Sequence, residues 1–340
     1  MKVVYSPLHQ RHAGGVELHR AELVPSYELP ERAEYIREAL VEAGHALVAP
    51  RAFAVDVLLG VHEAGLVEFL RTAYARWQAE GRDGSMLPSA FPARGLRQDR
   101  VPAGINGAMG YYAFDAGTPI VEGTWDAAFA AALCALTAAE LVAEGERAAY
   151  ALCRPPGHHA ARGSYGGYSY LNNAALAAQR LRDRGFGRVA LLDVDYHHGN
   201  GSQDIFWERG DVLFVSIHGT PDTEYPYFLG YSDERGAGAG EGATLNLPLP
   251  RGTTWDEYAQ ALDTALAAVS GFGADALVVS LGVDTYEGDP ISAFRLGAGH
   301  FPQLGARIAA LGLPTVLVQE GGYAVKEIGT NVAGVLGAFG

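Results

Sequence analysis

The sequence predicts an α/β protein, a three-layer α/β/α sandwich around a mainly parallel central sheet. Short apolar runs alternate with amphipathic helical segments almost from end to end. Most runs are rich in Val, Leu and Ile and show little polar alternation, as expected for strands buried on both faces of a sheet. Clusters of His, Asp and Gly follow directly after several runs, where doubly wound sheets form their sites.

Seven apolar runs are the predicted strands. They cover residues 3–5, 46–49, 149–153, 189–194, 212–217, 276–281 and 315–319. The stretches 9–29 and 81–110 lack a regular pattern, and we expect long loops there. No repeat or linker divides the chain, so we expect a single domain over residues 1–340.

Helix start and stop signals lie between the strands. Pro30 begins an amphipathic segment over residues 31–43, and Gly44 ends it. The other two clear segments follow a threonine: one lies between Thr124 and Gly145, and one follows Thr254 over residues 255–271. Helices spaced in this way between strands favour parallel strand connections.

Composition and charge exclude several classes of protein. Of the 340 residues, 49% are hydrophobic and 19% are charged, which provides a large core and argues against extensive disorder. The net charge of −14 disfavours nucleic acid or an anionic membrane as partner and suits a cationic substrate. The apolar runs are shorter than a bilayer span, and the N-terminus lacks a signal-peptide core. The two cysteines, Cys134 and Cys153, lie in apolar stretches, which argues against a disulfide framework. We expect a soluble, cytoplasmic protein with no membrane partner.

The first cluster of chemical interest is Arg154-Pro-Pro-Gly-His158-His159, directly after a predicted strand. Two prolines and a glycine stiffen the turn and hold two adjacent imidazoles in place. The alternative is a surface loop with two histidines. A tandem histidine pair after a rigid turn is an unusual use of the residue and favours a functional site.

The second cluster is LLDVDYHHGNG, residues 191–201. Asp193, Asp195 and His197 share one side of an extended chain because side chains alternate with period two. Two carboxylates and an imidazole on one edge suit zinc or ferrous iron. Acidic residues that cap the next helix are the alternative, which leaves the adjacent histidines unexplained.

Two further clusters end strands in the second half of the chain. Asp284 follows the strand in SLGVDTYEGDP, residues 280–290, and supplies a third ligand unless it caps a helix. Three protein ligands leave a position for water and substrate, as in catalytic sites. In Gln319-Glu320-Gly321-Gly322-Tyr323, two glycines free the backbone and bring Tyr323 across the site, where its phenol would donate to a developing oxyanion. Simple packing of Tyr323 is the alternative.

The segments RPPGHH, LDVDYHHGNG, LGVDTYEGDP and EGGY together resemble the histone deacetylase family of the arginase/deacetylase superfamily, in the same order and spacing. The early segment ELVPSYELPERAEYI is most similar to the bacterial acetylpolyamine amidohydrolases. The resemblance implies the arginase/deacetylase fold with about eight strands. It also implies a zinc-dependent deacetylase that acts on linear amides. A homodimer would form through the loop over residues 9–29, which would narrow the active-site channel.

The resemblance also implies the roles of the catalytic residues. One divalent metal per subunit, Zn²⁺ with Fe²⁺ or Co²⁺ as alternatives, would be held by Asp195, His197 and Asp284. The tandem acid–base pair would be His158 and His159, oriented by Asp193 and Asn200 respectively. Tyr323 would polarise the scissile carbonyl opposite the metal.

Further residues are implied at the channel and behind the metal. The acetyl-carrying arm would lie between Tyr168 and Tyr225, with Ile291 on the wall and the carbonyl of Gly167 accepting the amide N–H. A structural K⁺ or Na⁺ would involve Asp193 and Ser216, with carbonyls around Asp195, His197 and Ile217.

Elementary chemistry refines this assignment. The carboxylate of Asp193 raises the basicity of a histidine more than the neutral amide of Asn200 does, so we expect His158 as imidazolium and His159 as general base. Arginase needs two manganese ions and further bridging carboxylates. His198 and Tyr286 stand at the positions of those carboxylates, which favours a mononuclear site.

The predicted substrate is a small cationic acetylated amine, in particular an acetylated polyamine. An acidic channel rim would select it, and Glu17 is the predicted rim residue. The group's pattern also has an acidic residue near position 106, where this chain has Asn106, with neutral Gly117 nearby. The alternatives are a broad-specificity acetyl-lysine deacetylase of proteins or peptides, a hydrolase of another small amide, and a non-catalytic metal-bound sensor.

Overall fold

The structure, a computed structural model, describes residues 1–19 and 22–339. The described residues form ten strands. These are β1 (Lys2–Val4), β2 (Val16–His19), β3 (Glu22–Pro25), β4 (Ala46–Val48), β5 (Ala148–Ala151), β6 (Val189–Asp193), β7 (Val212–Gly219), β8 (Thr244–Leu249), β9 (Ala276–Leu281) and β10 (Thr315–Gln319).

Eight of these strands form one sheet in the order β4-β1-β5-β10-β9-β6-β7-β8, and every neighbouring pair is parallel. The predicted α/β fold is therefore confirmed, with a sheet that is entirely parallel. All seven predicted runs are strands of this sheet. The eighth, β8, was not predicted because it lies at the edge, where one face is only partly buried and a proline is tolerated.

Helices cover both faces of the sheet. They are α1 (Glu31–Glu42), α2 (Ala64–Ala79), α3 (Ile105–Tyr112), α4 (Thr124–Ala143), α5 (Asn173–Asp183), α6 (Asn200–Phe206), α7 (Trp255–Phe272), α8 (Phe301–Ala309) and α9 (Ile328–Leu336). The three predicted helices are α1, α4 and α7. Thr254 caps α7 in a capping box with Glu257, whereas Thr124 is already the first residue of α4.

Two hydrophobic cores lie on opposite faces of the sheet. One contains residues of α2 to α5, and the other contains residues of α1, α7, α8 and α9. Successive strand residues alternate between them: Leu191 belongs to the first core and Leu192 to the second. Each fully buried leucine of this kind stabilises the fold by roughly 1.5–3 kcal/mol, so the two cores fix the ends of the strands where the site forms.

The two predicted long loops contain regular structure. Residues 9–29 include the antiparallel hairpin β2–β3, and the stretch 81–110 already contains the first turns of α3. The hairpin was missed because the residues between its strands, Arg20 and Ala21, give no glycine or asparagine turn signal; they lie outside the described residues.

The apolar runs were expected to be shorter than a bilayer span, and helix α4 is longer than this expectation allowed. It has 20 residues and is apolar enough to cross a membrane. However, 78% of its most apolar stretch is buried inside the protein. It is a core helix that packs against the sheet and against α5, which also contacts the sheet.

Candidate active site

The predicted chemical clusters lie at the carboxyl ends of β5, β6, β9 and β10, which are neighbours in the middle of the sheet. A cavity of about 440 Å³ opens above them. Its lining includes His159, His197 and Tyr323. This is the crevice where open parallel sheets place their ligands.

The three predicted metal ligands converge beneath this cavity. One nitrogen or oxygen from each of Asp195, His197 and Asp284 lies within 4.8 Å of the others. The Nδ1 atom of His197 is 3.0 Å from Oδ2 of Asp284 and 3.4 Å from Oδ1 of Asp195. Both carboxylates are fully buried. Two ligands follow β6 with extended-chain spacing and the third follows the neighbouring β9, so the sheet register brings them together.

This cluster fits a divalent cation. Burial and the neighbouring charge of Asp195 raise the pKa of Asp284 to about 7, and a divalent cation would offset the repulsion between these two buried carboxylates. A Cβ at Gly282 would overlap the Asp195 carboxylate, and a Cβ at Gly321 would overlap the carboxylates of Asp195 and Asp284. The two glycines therefore keep the space around the carboxylates open, and the oxygen and imidazole donors suit zinc, iron or cobalt.

The tandem histidines lie beside this cluster with their ring centroids 4.0 Å apart. Nδ1 of His158 is 2.9 Å from Oδ2 of Asp193, and Nδ1 of His159 is 2.7 Å from Oδ1 of Asn200. Burial lowers the pKa of His158, but the carboxylates of Asp193 and Asp195 outweigh it and raise that pKa to about 10. Burial and the adjacent His158 charge lower the pKa of His159 well below its usual value. The electrostatics thus favour a charged His158 and a neutral His159.

Tyr323 lines the same cavity and is held by its neighbours. Its backbone N–H donates to Oδ2 of Asp289 at 2.7 Å. The guanidinium of Arg32 lies 4.6 Å from the centre of its ring and donates from Nε to the Gly322 carbonyl at 2.6 Å. Burial raises the pKa of the phenol well above its usual value, so it remains a hydrogen-bond donor.

The four residues expected around the acetyl-carrying arm, Gly167, Tyr168, Tyr225 and Ile291, all line the cavity. One carboxylate fixes two of them: Oδ2 of Asp115 accepts the N–H of Gly167 and the hydroxyl of Tyr225, each at 2.6 Å. Gly167 and Tyr168 both have positive φ, 55° and 61°. A side chain at Gly167 would also overlap the ring of His159. Glycine at this position therefore allows the wall to approach the catalytic histidine closely.

Glu17 does not form the open acidic rim that the sequence suggested. It lies in the cavity lining but is only 1% exposed. Its carboxylate accepts the hydroxyl of Tyr168 at 2.6 Å, the hydroxyl of Ser26 at 3.0 Å and the N–H of Tyr27 at 3.2 Å. Folding of the hairpin buries it against the wall of the cavity.

Asn106, expected among the substrate-binding residues, is not among the residues that line the cavity of this subunit. It lies exposed on α3, outside the cavity lining, and its Oδ1 accepts a hydrogen bond from Nη1 of Arg82 at 2.6 Å. The helix that starts at Ile105 directs its apolar face to the core, and this leaves Asn106 at the surface. Asp115 is the carboxylate of this region that reaches the cavity.

Of the residues named for a monovalent cation, Asp195 and His197 belong to the metal cluster, and the other three lie on β6 and β7. Asp193 of β6 is the register partner of Ser216 of β7, and Asp193, Ser216 and Ile217 are buried. Oγ of Ser216 is 2.8 Å from Nδ1 of His218. The cation itself stays a prediction.

Four groups next to the site were missed: the buried Arg32, Asp289 and Glu320, and the partly exposed Asp115. Each binds the backbone of a catalytic or wall segment. Asp289 lies in the GDP of the third cluster, and Glu320 lies in the EGGY segment. Their positions in these clusters were the available signal, but a side chain that binds a distant N–H leaves no spacing pattern.

Comparison with known proteins gives one consistent group. The family model for the histone deacetylase domain matches residues 26–339. Acetylpolyamine amidohydrolase 1 of Pseudomonas aeruginosa is 51% identical over 341 residues, which cover 100% of this chain and 99% of that protein. The acetylpolyamine amidohydrolase of Mycoplana ramosa is 50% identical over 99% of this chain and 98% of its own length. The crystal structure of the acetylpolyamine aminohydrolase of Burkholderia pseudomallei superposes with a TM-score of 0.96 at 41% identity, covering 100% of this chain and 98% of that one.

Proposed function

This chain belongs to the histone deacetylase family, and we propose that it is a zinc-dependent amidohydrolase that removes the acetyl group from acetylated polyamines or related small acetyl-amines. The observation that carries the proposal is the arrangement at one end of a single cavity. There the cluster of Asp195, His197 and Asp284 meets a charged and a neutral histidine, and the phenol of Tyr323 belongs to the same cavity lining.

Each of these groups has a distinct task in amide hydrolysis. A divalent cation held by the three ligands supplies Lewis acidity toward the carbonyl oxygen and the attacking water. His159 is neutral and accepts the proton of the water, while the imidazolium of His158 donates a proton to the departing amine. Tyr323 donates its hydroxyl hydrogen to the carbonyl oxygen, where negative charge develops.

The aromatic lining of the cavity is suited to a thin cationic substrate. Tyr168 and Tyr323 lie with ring centroids 5.6 Å apart, and Tyr225 lies 5.1 Å from His159. Phe114 and Tyr227 extend the aromatic lining toward the mouth, where ring faces attract ammonium groups. The net charge of −14 adds a long-range attraction for cations.

Zinc is the proposed metal, with Fe²⁺ or Co²⁺ as alternatives, and K⁺ or Na⁺ is proposed at Asp193 and Ser216.

We also propose a homodimer formed through the hairpin β2–β3, which carries exposed Leu18 and Leu23 beside the cavity mouth. The two cysteines, Cys134 and Cys153, are free and buried, which supports a cytoplasmic location.

The test is a set of kcat/KM values measured with metal-stripped protein given Zn²⁺, Fe²⁺ or Co²⁺. We expect no turnover without metal. With zinc, N-acetylputrescine, N-acetylcadaverine or acetylspermidine should exceed an acetyl-lysine peptide by at least about tenfold. The variant Asp195→Asn is the control and should lose both metal and turnover. A preference for the peptide would favour the broad acetyl-lysine deacetylase, and no turnover with any metal would contradict the enzyme assignment.

A further inference from the structure

Glu320 is a buried carboxyl group beside the catalytic residues that has no part in the proposed reaction. It follows β10, three residues before Tyr323, and is 0% exposed. It does not line the cavity. A buried carboxyl group needs strong hydrogen bonds to be retained, so its partners indicate what it does.

The partners of Glu320 are the backbone of the histidine turn and a neighbouring strand. Oε2 accepts the N–H of Gly157 at 2.6 Å and the N–H of His158 at 3.1 Å. Oε1 accepts the hydroxyl of Ser280, on β9, at 3.2 Å. One side chain from the end of β10 therefore ties together the ends of three neighbouring strands, β5, β10 and β9.

This contact completes the fixation of His158. The carbonyl of His158 accepts the N–H groups of Gly201 and Ser202, each at 3.1 Å, and its ring is held by Asp193. Its N–H has Glu320 as its partner. Because the rings of His158 and His159 are 4.0 Å apart on adjacent residues, a rotation of this peptide moves both rings.

A second buried glutamate, Glu28, has partners of a different kind from those of Glu320. Glu28 lies 2.7 Å from Nη1 of Arg32 and 2.9 Å from Nε of Arg154, so its charge is matched by two guanidinium groups. In the described part of the chain, the carboxylate of Glu320 pairs with no arginine or lysine and binds two main-chain N–H groups instead. Glu320 therefore differs from Glu28 in that it binds two backbone N–H groups and forms no ion pair with arginine or lysine in the described part of the chain.

We propose that Glu320 is a positioning residue for the tandem histidines: its carboxyl oxygen holds the Gly157–His158 peptide and thereby aims both imidazoles at the reacting amide. The inference rests on the proposed function, because it assigns a task only if the two histidines act on the substrate. It predicts that the length of the side chain and an acceptor oxygen at its end are required, while the negative charge is not.

Two substitutions of Glu320 distinguish the effect of side-chain length from the effect of negative charge. Glu320→Gln keeps the length and one acceptor oxygen but removes the charge, whereas Glu320→Asp keeps the charge but is one methylene shorter. We expect Glu320→Asp to lower kcat by about 10- to 100-fold with little change in KM, because a displacement on the order of 1 Å at the reacting groups costs that much. Glu320→Gln should retain kcat within about fivefold of the parent protein.

Glu140→Gln is the matched control. It replaces a buried carboxylate on α4 that pairs with Arg180 of α5, outside the cavity lining, and it should leave kcat and KM unchanged. Zinc content and the melting temperature are measured for every variant, so that only folded, metal-loaded protein enters the comparison.

The outcomes are distinct. A parent protein without turnover overturns the proposed function and this inference with it. An active parent with an unaffected Glu320→Asp variant overturns the positioning role alone. The positioning role is also overturned if Glu320→Asp retains kcat while Glu320→Gln loses it, because the negative charge would then be the required property. Loss in the Asp variant with rescue by Gln supports the proposal.

Discussion

The two adjacent imidazoles, His158 and His159, lie in opposite electrostatic surroundings although their rings are 4.0 Å apart. His158 faces carboxylates, and His159 faces the amide of Asn200 and the charge of its neighbour. A general base must be neutral to accept a proton, and a general acid must be charged to give one. The roles therefore follow from which oxygen each Nδ1 atom contacts.

Replacing Asn200 by Asp should shift the pH dependence of the reaction. The new carboxylate beside His159 favours its imidazolium form and raises its pKa. Since the base works only above its pKa, the acidic limb of kcat/KM should move to higher pH by about 1 unit or more. The measurement is a pH profile of kcat/KM for the parent and the variant, both with full zinc content.

An acidic limb that stays in place, or moves to lower pH, would contradict His159 as the base. A second check compares alanine variants. If His159→Ala kept nearly full turnover while His158→Ala abolished it, the two roles would have to be exchanged.

The sequence indicated the central residues because their chemistry follows strand periodicity. Asp195 and His197 share one side of an extended segment, and Asp284 follows the adjacent strand. The burial of Glu17 and the exposure of Asn106 depend on how a hairpin and a helix fold, which the sequence pattern does not show. Asp115 gave no signal and Asp289 only its place in the third cluster, since each binds backbone N–H groups from segments distant in the chain.

At the scale of elements, the hairpin β2–β3 is the main departure from the predicted fold. Its residue Glu17 connects the hairpin to the cavity wall through the hydroxyl of Tyr168. A residue expected to recognise substrate charge at an open rim is instead part of the support for the wall. This changes what its substitution should do.

Glu17→Gln should raise KM for cationic and neutral acetyl-amides by similar factors, on the order of tenfold, because it removes an acceptor for Tyr168 or Ser26. Glu22→Gln is the matched control: it makes the same change of charge at an exposed position on the partner strand and should have little effect. The measurement is KM for N-acetylputrescine and for an uncharged acetyl-amide. A selective increase for the cation alone would restore the direct recognition role.

The central sheet was more predictable than the hairpin. Six of the seven predicted strands are largely buried apolar runs, and burial on both faces leaves a signal that needs no knowledge of partners. The seventh, β4 at the other edge of the sheet, is apolar but largely exposed. The edge strand β8 is half-buried and reads TLNLPL, so its identity depends on pairing with β7. Strands that form because they pair with a neighbour, rather than because of their own apolar composition, are the ones that the sequence did not predict.

At the scale of the whole molecule, apolar side chains flank the mouth of an otherwise acidic protein. Leu23 on the hairpin is 67% exposed, and Phe228 on the loop after β7 is 87% exposed. Leu18 and Phe228 also belong to the cavity lining. Exposed apolar groups that gather at one place indicate an interaction surface.

If this surface joins two copies of the chain, a single substitution on it acts twice, because a two-fold interface repeats every contact. Leu23→Ser should raise the dimer dissociation constant by about 100-fold or more, since each lost leucine contact contributes roughly 1.5–3 kcal/mol. Sedimentation over a range of concentrations should show the parent protein at twice 36.0 kDa and the variant shifting toward one chain mass. Leu96→Ser is the control, because Leu96 is 63% exposed but lies outside the cavity lining and the hairpin. A parent protein that sediments as a single chain at micromolar concentration, or a Leu96→Ser variant that dissociates equally, would contradict an interface at the hairpin.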